Sequence, residues 1–493
     1  MYGNSEKLPK ANYSYFIKLD ESVNQVLDFY EKIYPAIFIY KKVNIKYAIA
    51  RTIFYECFRL GYHKFYFRIY KKEDIPQETI FKSIATYLSD NIIDKKDIDN
   101  QYKINFKELF LRPYKKVQDW INPIKEKDIK KDILIYTHEN RFVYFLNPIL
   151  KYFSSYTYLH YGYLNVENAT RETNQPCVNL EPFAKKAHPA IFNNRLLMTF
   201  FSNLIYQVNL LDTLFSYHQP KCLLLVEGFS ANDEIASQVA KKYNIPTICI
   251  QQGWDFIASP SSKNLSFDKM LVWGNALAEY QQPYSPKTQF KSVGNHILQS
   301  SEDCIKEDKI VFLLQARVVE SAFIDEEIWD KIWQFIFFTA SNFPNYTVVV
   351  RPHPVHPISK DEINAIKKYP NINISTPQQE SLNQVLCTSK FSVAINSATI
   401  LESIGRETIP IIFNLTSVPH YNPNIHDVQA GLEVKNLEDA QNILVKLIKD
   451  IPYQKLIYQK LKSYQKQIFE SFGEEALTLI VREIKEYIVF KES

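Results

Sequence analysis

A glutamate that closes an apolar run and precedes a glycine is a carboxylate placed for proton transfer. VEGFSANDE (226–234) has one at Glu227. The run CLLLV before it reads as a buried strand, so the carboxyl stands at a strand end, where burial raises a carboxyl pKa toward the range of a general base. Gly228 lets a substrate approach. Asp233 and Glu234 are weaker candidates, because Ser230-x-x-Asp233 has the spacing of a capping-box variant and structure alone explains it.

RPHPVHP (351–357) follows another apolar run. Arg351 can donate two parallel hydrogen bonds to a phosphate, His353 a third, and the prolines, Pro354 among them, stiffen the loop. The plainer reading is a proline-rich connection with surface histidines. NSATILES (396–403) is the natural partner: a strand ends at Ser397 and a helix begins, so Ser397 or Thr399 would cap it and leave outward N–H groups for an anion. Glu402, one turn in, would accept from ribose hydroxyls; otherwise it is an ordinary dipole-satisfying acid. QQGWD (251–255) offers the amide of Gln252, a close approach at Gly253 and the flat face of Trp254 for a sugar. THENR (137–141) offers His138 as a proton donor and Arg141 for an anionic acceptor, each against the alternative of a capped helix start. Gln315 and Arg317 follow the first strand of a later series and would reach the donor.

The 493 residues leave room for about two to four domains, and 46% hydrophobic content is ample for their cores. A net charge of +4 argues against a nucleic-acid partner. Glycine numbers only 10, and neither GxGxxG nor GxxxxGK occurs, which excludes both phosphate-loop types. Cys57, Cys177, Cys222, Cys249, Cys304 and Cys387 show no CxxC spacing and read as reduced thiols, not as a disulfide framework or a zinc site. No metal and no cofactor is expected. The N-terminus has no signal-like apolar region and no run of 18 apolar residues occurs, so the expected location is the cytoplasm, with peripheral contact at an inner membrane or an assembly complex.

Elements that position these residues follow from the alternation. Strands are expected at 132–137, 156–161, 222–228, 246–253, 269–274 and 290–295, then again at 309–316, 346–354, 371–375, 391–397 and 409–414, with helical segments between. Such alternation means crossover units and parallel sheets. The predicted fold class is α/β: two doubly wound Rossmann-like domains facing a cleft (GT-B), with an N-terminal extension and C-terminal helices. The boundaries are 1–130 for the extension, with a helix from Asn44 to Tyr62, 131–298 for an acceptor domain, 299–435 for a nucleotide-sugar domain and 436–493 for the closing helices. Ligands of open α/β sheets bind beyond the carboxyl ends of the strands, where every candidate above lies.

Taken together, E-G after a strand, I-P-x-x-x-x-Q-x-G (245–253), V-W-G (272–274), V-G-N (293–295), R-P-H-P (351–354) and S-x-T-x-x-E (397–402) resemble bacterial surface-carbohydrate GT-B enzymes of the CMP-sugar group. That group includes sialyl-, polysialyl- and Kdo transferases, with the related CDP-glycerol glycerophosphotransferases. The resemblance, over roughly 220–415, implies a catalytic base at Glu227, an HP motif at His353–Pro354 contacting the CMP phosphate, and a completing Ser/Thr motif at Ser397 and Thr399. Val226 stands where the group has a first acidic residue. The implied activity is transfer of a sugar, CMP-activated and acidic, to a growing surface polysaccharide or glycolipid such as capsule or lipopolysaccharide. The alternatives are a UDP-sugar 2-epimerase-like enzyme and a non-catalytic scaffold of a polysaccharide assembly complex.

Overall fold

The computed structural model describes residues 13–33, 35–59, 132–160, 164–180, 202–253, 262–302, 304–315, 326–354, 356–395, 397–415 and 430–489. These fall into two compact units: one takes in described residues of 17–271, 281–290 and 480–489, the other those of 13–16, 272–280 and 291–479.

The first unit opens with helix α1 (Tyr13–Ile33), the two-stranded antiparallel pair β1 (Ile39–Tyr40) and β2 (Val43–Asn44), and helix α2 (Lys46–Arg59). Apolar residues at helical spacing, Ala48, Ile49 and Ile53, bury one face of α2. The expected helix over 44–62 is thus present to Arg59, and its last residues lie outside the described ones. Next come β3 (Ile133–Tyr136), α3 (Asn140–Leu150), β4 (Tyr156–His160), α4 (Leu164–Glu172), β5 (Cys177–Asn179), α5 (Ser202–Tyr217), β6 (Cys222–Val226), α6 (Ala231–Lys242), β7 (Thr247–Ile250), β8 (Lys269–Val272) and β9 (Gln289–Ser292); α7 (Asn275–Gln281), between the last two in sequence, is counted with the other unit except for its last residue.

The seven strands lie in the order β5-β4-β3-β6-β7-β8-β9. β3 is parallel to both β4 and β6, with Ile133 opposite Cys222 and Leu134 opposite Leu223. The strands are near-continuous apolar runs, fully buried in β3, β6, β7 and β8, because crossover helices cover both faces of a parallel sheet. The chain runs outward from β3 to β5, returns to lay β6 against β3, then runs outward the other way. The strand order therefore reverses between β3 and β6.

The second unit repeats this plan. Its elements are β10 (Glu307–Leu313), α8 (Glu326–Asn342), β11 (Thr347–Arg351), α9 (Lys360–Ile366), β12 (Ile372–Ile374), α10 (Leu382–Thr388), β13 (Ser389–Ala394), α11 (Thr399–Gly405), β14 (Ile409–Phe413) and β15 (Leu432–Val434). Six parallel strands follow the order β12-β11-β10-β13-β14-β15, so this sheet reverses between β10 and β13. The predicted helical tail resolves into α12 (Leu437–Lys449), α13 (Ile451–Ile468) and α14 (Gly473–Val489). Asp450 both ends α12 and caps α13, its carboxylate accepting from the Tyr453 N–H at 3.0 Å.

One sequence expectation is overturned. Cys304 and Cys387 are joined in a disulfide, not reduced. The pair is 83 residues apart and has no motif spacing, but the crossover that sets β13 beside β10 brings their Cα atoms to 4.9 Å. Cys222 and Cys249 are buried free thiols, as expected, and burial pushes both thiols well above their ordinary pKa. The short strands β5 and β15 have no counterpart in the sequence reading; three residues are too few for a periodic signal.

Candidate functional site

Two loops meet at the strand reversal of the first sheet, one after β3 and one after β6. Open α/β sheets leave a crevice at such a point, because neighbouring connections depart to opposite faces. The loop after β6 is strained. Glu227 has φ +67° and Gly228 φ +77°. For a non-glycine residue the left-handed region costs about 1–2 kcal/mol. Gly228 has no substitute, since a Cβ there would lie 2.6 Å from the Phe267 ring and 2.7 Å from Cys249 Sγ. The strained turn directs the Glu227 carboxyl over Gly253, whose missing Cβ would stand 2.8 Å from Glu227 Oε1.

The loop after β3 supplies the partners. Arg141, in the first turn of α3, donates from Nη2 to Glu227 Oε2 at 3.1 Å and is also ion-paired with Glu139. His138 Nε2 lies 3.6 Å from Glu139 Oε1. Burial pulls the His138 pKa down, but the Glu139 hydrogen bond and the charges of Asp233, Glu139 and Glu227 outweigh it and raise the net value. His138 is the hydrogen-bonding and Coulombic partner that, with Arg141 and against burial, holds Glu139 below its ordinary range. The arrangement holds an imidazole and a partly exposed carboxylate side by side, the equipment for taking a proton from a hydroxyl and holding it.

Asp233 adopts the capping role that its spacing allows. It is 1% exposed, and its Oδ2 accepts from the Ser230 N–H at 3.1 Å and the Ser230 hydroxyl at 2.7 Å. Burial raises its pKa against the pull of His138, Ser230 and Arg51. Gln252 is half-buried, and its Oε1 is buried without a hydrogen-bond partner among the described residues. Trp254 lies outside the described residues.

In the second unit, Ser397, Thr399 and Glu402 share one end of α11, beyond β13 at the second strand reversal. Gln315 lies just beyond β10, the adjacent strand. The cap differs from expectation. Ala398 occupies the N-cap with helical backbone angles, and the Ser397 hydroxyl accepts from the Thr399 N–H at 3.3 Å. Thr399 Oγ1 is buried with no hydrogen-bond partner among the described residues. Glu402 keeps some exposed surface, yet its carboxyl is desolvated, which pushes its pKa up to about 7. A carboxyl so poised donates as well as accepts.

Arg351 ends β11, one strand away from the reversal. Its Nη1 donates to Ser375 Oγ at 2.7 Å and to the Glu380 carbonyl at 3.1 Å, so this nitrogen is engaged within the fold. His353 is half-buried, and burial followed by the neighbouring His356 lowers its pKa, which favours the neutral ring. Pro354 is exposed, and Arg317 lies outside the described residues.

The sequence reading passed over Arg51. It is 3% exposed, comes from α2 in the N-terminal extension, and donates to the Ser230 carbonyl at 2.9 Å, the Gly228 carbonyl at 3.3 Å and Glu234 Oε2 at 3.1 Å. An arginine inside an amphipathic helix pattern carries no local signal of such a role. Among the described residues, no three His, Cys, Asp or Glu side chains group as a metal site, and no helix is long and apolar enough to cross a membrane.

No family model and no curated protein matches this chain. Solved structures to which it is similar include a spinosyn rhamnosyltransferase, SpnG, complexed with spinosyn aglycone, at 11% identity, 71% of this chain, 100% of that one and a TM-score of 0.44. MurG of Acinetobacter baumannii is similar at 11% identity, 72% of this chain, 99% of that one and a TM-score of 0.47. The glycosyltransferase SnogD of Streptomyces nogalater is similar at 12% identity, 71% of this chain, 97% of that one and a TM-score of 0.45. Likeness at TM-scores below 0.5 carries no argument about what this chain binds. The fold itself is that of an α/β protein of two doubly wound parallel sheets, with candidate polar groups at both strand reversals.

Proposed function

We propose that this chain is a metal-independent glycosyltransferase of the GT-B type that moves a sugar from a nucleotide donor to a growing surface polysaccharide or glycolipid. The observation that supports it most is Glu227: a carboxylate in a strained left-handed turn at a strand reversal, ion-paired with Arg141 and contributing to the field that raises the His138 pKa. Strain of this kind persists where surrounding structure over-determines it, and it concentrates at working sites. In the proposed reaction the acceptor hydroxyl attacks the anomeric carbon, its proton passes to Glu227, with His138 supporting the charge at the site, and the sugar–phosphate bond breaks to release the nucleotide. Arg141 holds the carboxylate in place and screens a negative acceptor. The second unit takes the nucleotide: Gln315, Ser397, Thr399 and Glu402 meet its hydroxyls and phosphate, with Arg351 at the end of β11, the strand beside β10, and His353 in the loop after it. The motif pattern favours a CMP-activated acidic sugar.

Thermal-shift measurements with CMP, UDP, CDP and GDP test the nucleotide, and release of that nucleotide from its sugar donor in EDTA tests the transfer. One nucleotide should raise the unfolding midpoint. Glu227→Gln should keep that shift and lose turnover about a hundredfold, the scale of a general base. No shift with any nucleotide, or full turnover in Glu227→Gln, refutes the reading. A UDP-HexNAc converted to its 2-epimer would mean an epimerase instead.

A further inference from the structure

The turn that presents Glu227 is unfavourable by itself, with two consecutive residues in the left-handed region. Something must hold it. The Gly228 and Ser230 carbonyls both point at one guanidinium, Arg51, which reaches across 177 and 179 residues of sequence. The remaining arm of Arg51 pairs with Glu234, which is 0% exposed. Buried ions persist only when paired and hydrogen-bonded, so this contact has one geometry. The planar fork ties the turn on one side and helix α6 on the other, a span that a lysine ammonium does not reproduce.

We infer that Arg51 is a positioning residue: by binding the Gly228 and Ser230 carbonyls it keeps Glu227 left-handed, its carboxyl toward Arg141, and so makes the N-terminal extension part of the site. This rests on the reading of Glu227 as a proton acceptor. A purely structural role, anchoring α2 on α6, would instead leave the turn unaffected once the charges are removed together.

The double substitution Arg51→Met with Glu234→Gln removes both buried charges at similar volume. Hydrogen exchange in the full chain should then speed up at least about tenfold at the Glu227 and Gly228 amides, while those of Leu223–Leu225 stay as in the wild type. Sugar transfer should fall at least about tenfold with nucleotide affinity unchanged. Turn amides that exchange as in the wild type, or transfer that is undiminished, overturn the inference. If the double variant does not fold, Arg51→Lys carries the same comparison, because it keeps the charge opposite Glu234 and loses the fork. If the wild type transfers no sugar, the glycosyltransferase reading fails and the exchange comparison alone decides the role of Arg51.

Discussion

At the scale of single residues, the question is why an acid occupies a position that suits glycine. The Glu227 backbone at φ +67° is strained, and its Arg141 partner is half-exposed, so that ion pair contributes little stability. Glu227→Gly should therefore raise unfolding stability by about 0.5–1 kcal/mol while abolishing transfer. Denaturant titration checks it; a loss of more than about 1 kcal/mol would show that the side chain stabilises the turn. Glu402 permits a pH test. Its folded pKa of about 7 lies above the unfolded value near 4.3, so the folded form binds more protons in between. Its contribution is fully present below about pH 4.3 and is lost as pH rises through 7. Glu402→Gln should remove that loss and gain on the wild type by up to roughly 3 kcal/mol between pH 4.5 and 7.5. Parallel stability curves for the two proteins would contradict the buried-carboxyl account.

At the scale of elements, the crossovers do the positioning. Helix α6 begins at a full capping box, Ser230 with Asp233, directly after the strained turn, so turn and helix start are one structure. In the second unit the β10–β13 pairing closes the Cys304–Cys387 disulfide across 83 residues. A loop of that length constrains the unfolded chain by about 4.5 kcal/mol in the entropic model. Cys304→Ser with Cys387→Ser should lower the denaturation midpoint to that of reduced wild type. Equal midpoints for oxidised and reduced wild type would show that the bond is absent or without consequence.

At the scale of the whole molecule, the N-terminal extension is part of a core. Val43, Ile45, Ile49 and Ile53 are all at most 1% exposed, and each is worth about 1.5–3 kcal/mol of burial, a sum comparable with the 5–15 kcal/mol that keeps a domain folded. Deleting residues 1–59 should leave the first unit aggregation-prone, seen as loss of the monomer peak in size-exclusion chromatography. A truncated chain that runs as a well-folded monomer would refute this.

Much was legible along the chain because it is local. Apolar runs flanked by amphipathic segments dictate strands and helices, and parallel strands covered on both faces have to be apolar throughout, which is why CLLLV and TICI stand out as sequence. The capping box at Ser230 is a three-residue spacing, and it formed as read. Strand order is different in kind, because it depends on which edges pair after long crossovers. Only the folded chain puts β6 against β3, and so Glu227 against Arg141, 86 residues earlier. The same holds for Arg51 and Glu234 at a separation of 183, and for the cysteine pair. Residue type and spacing determined what each strand end could do chemically; the tertiary structure decided which ends became neighbours, because pairing between distant segments is set by the burial of whole faces and leaves no periodic trace in the sequence.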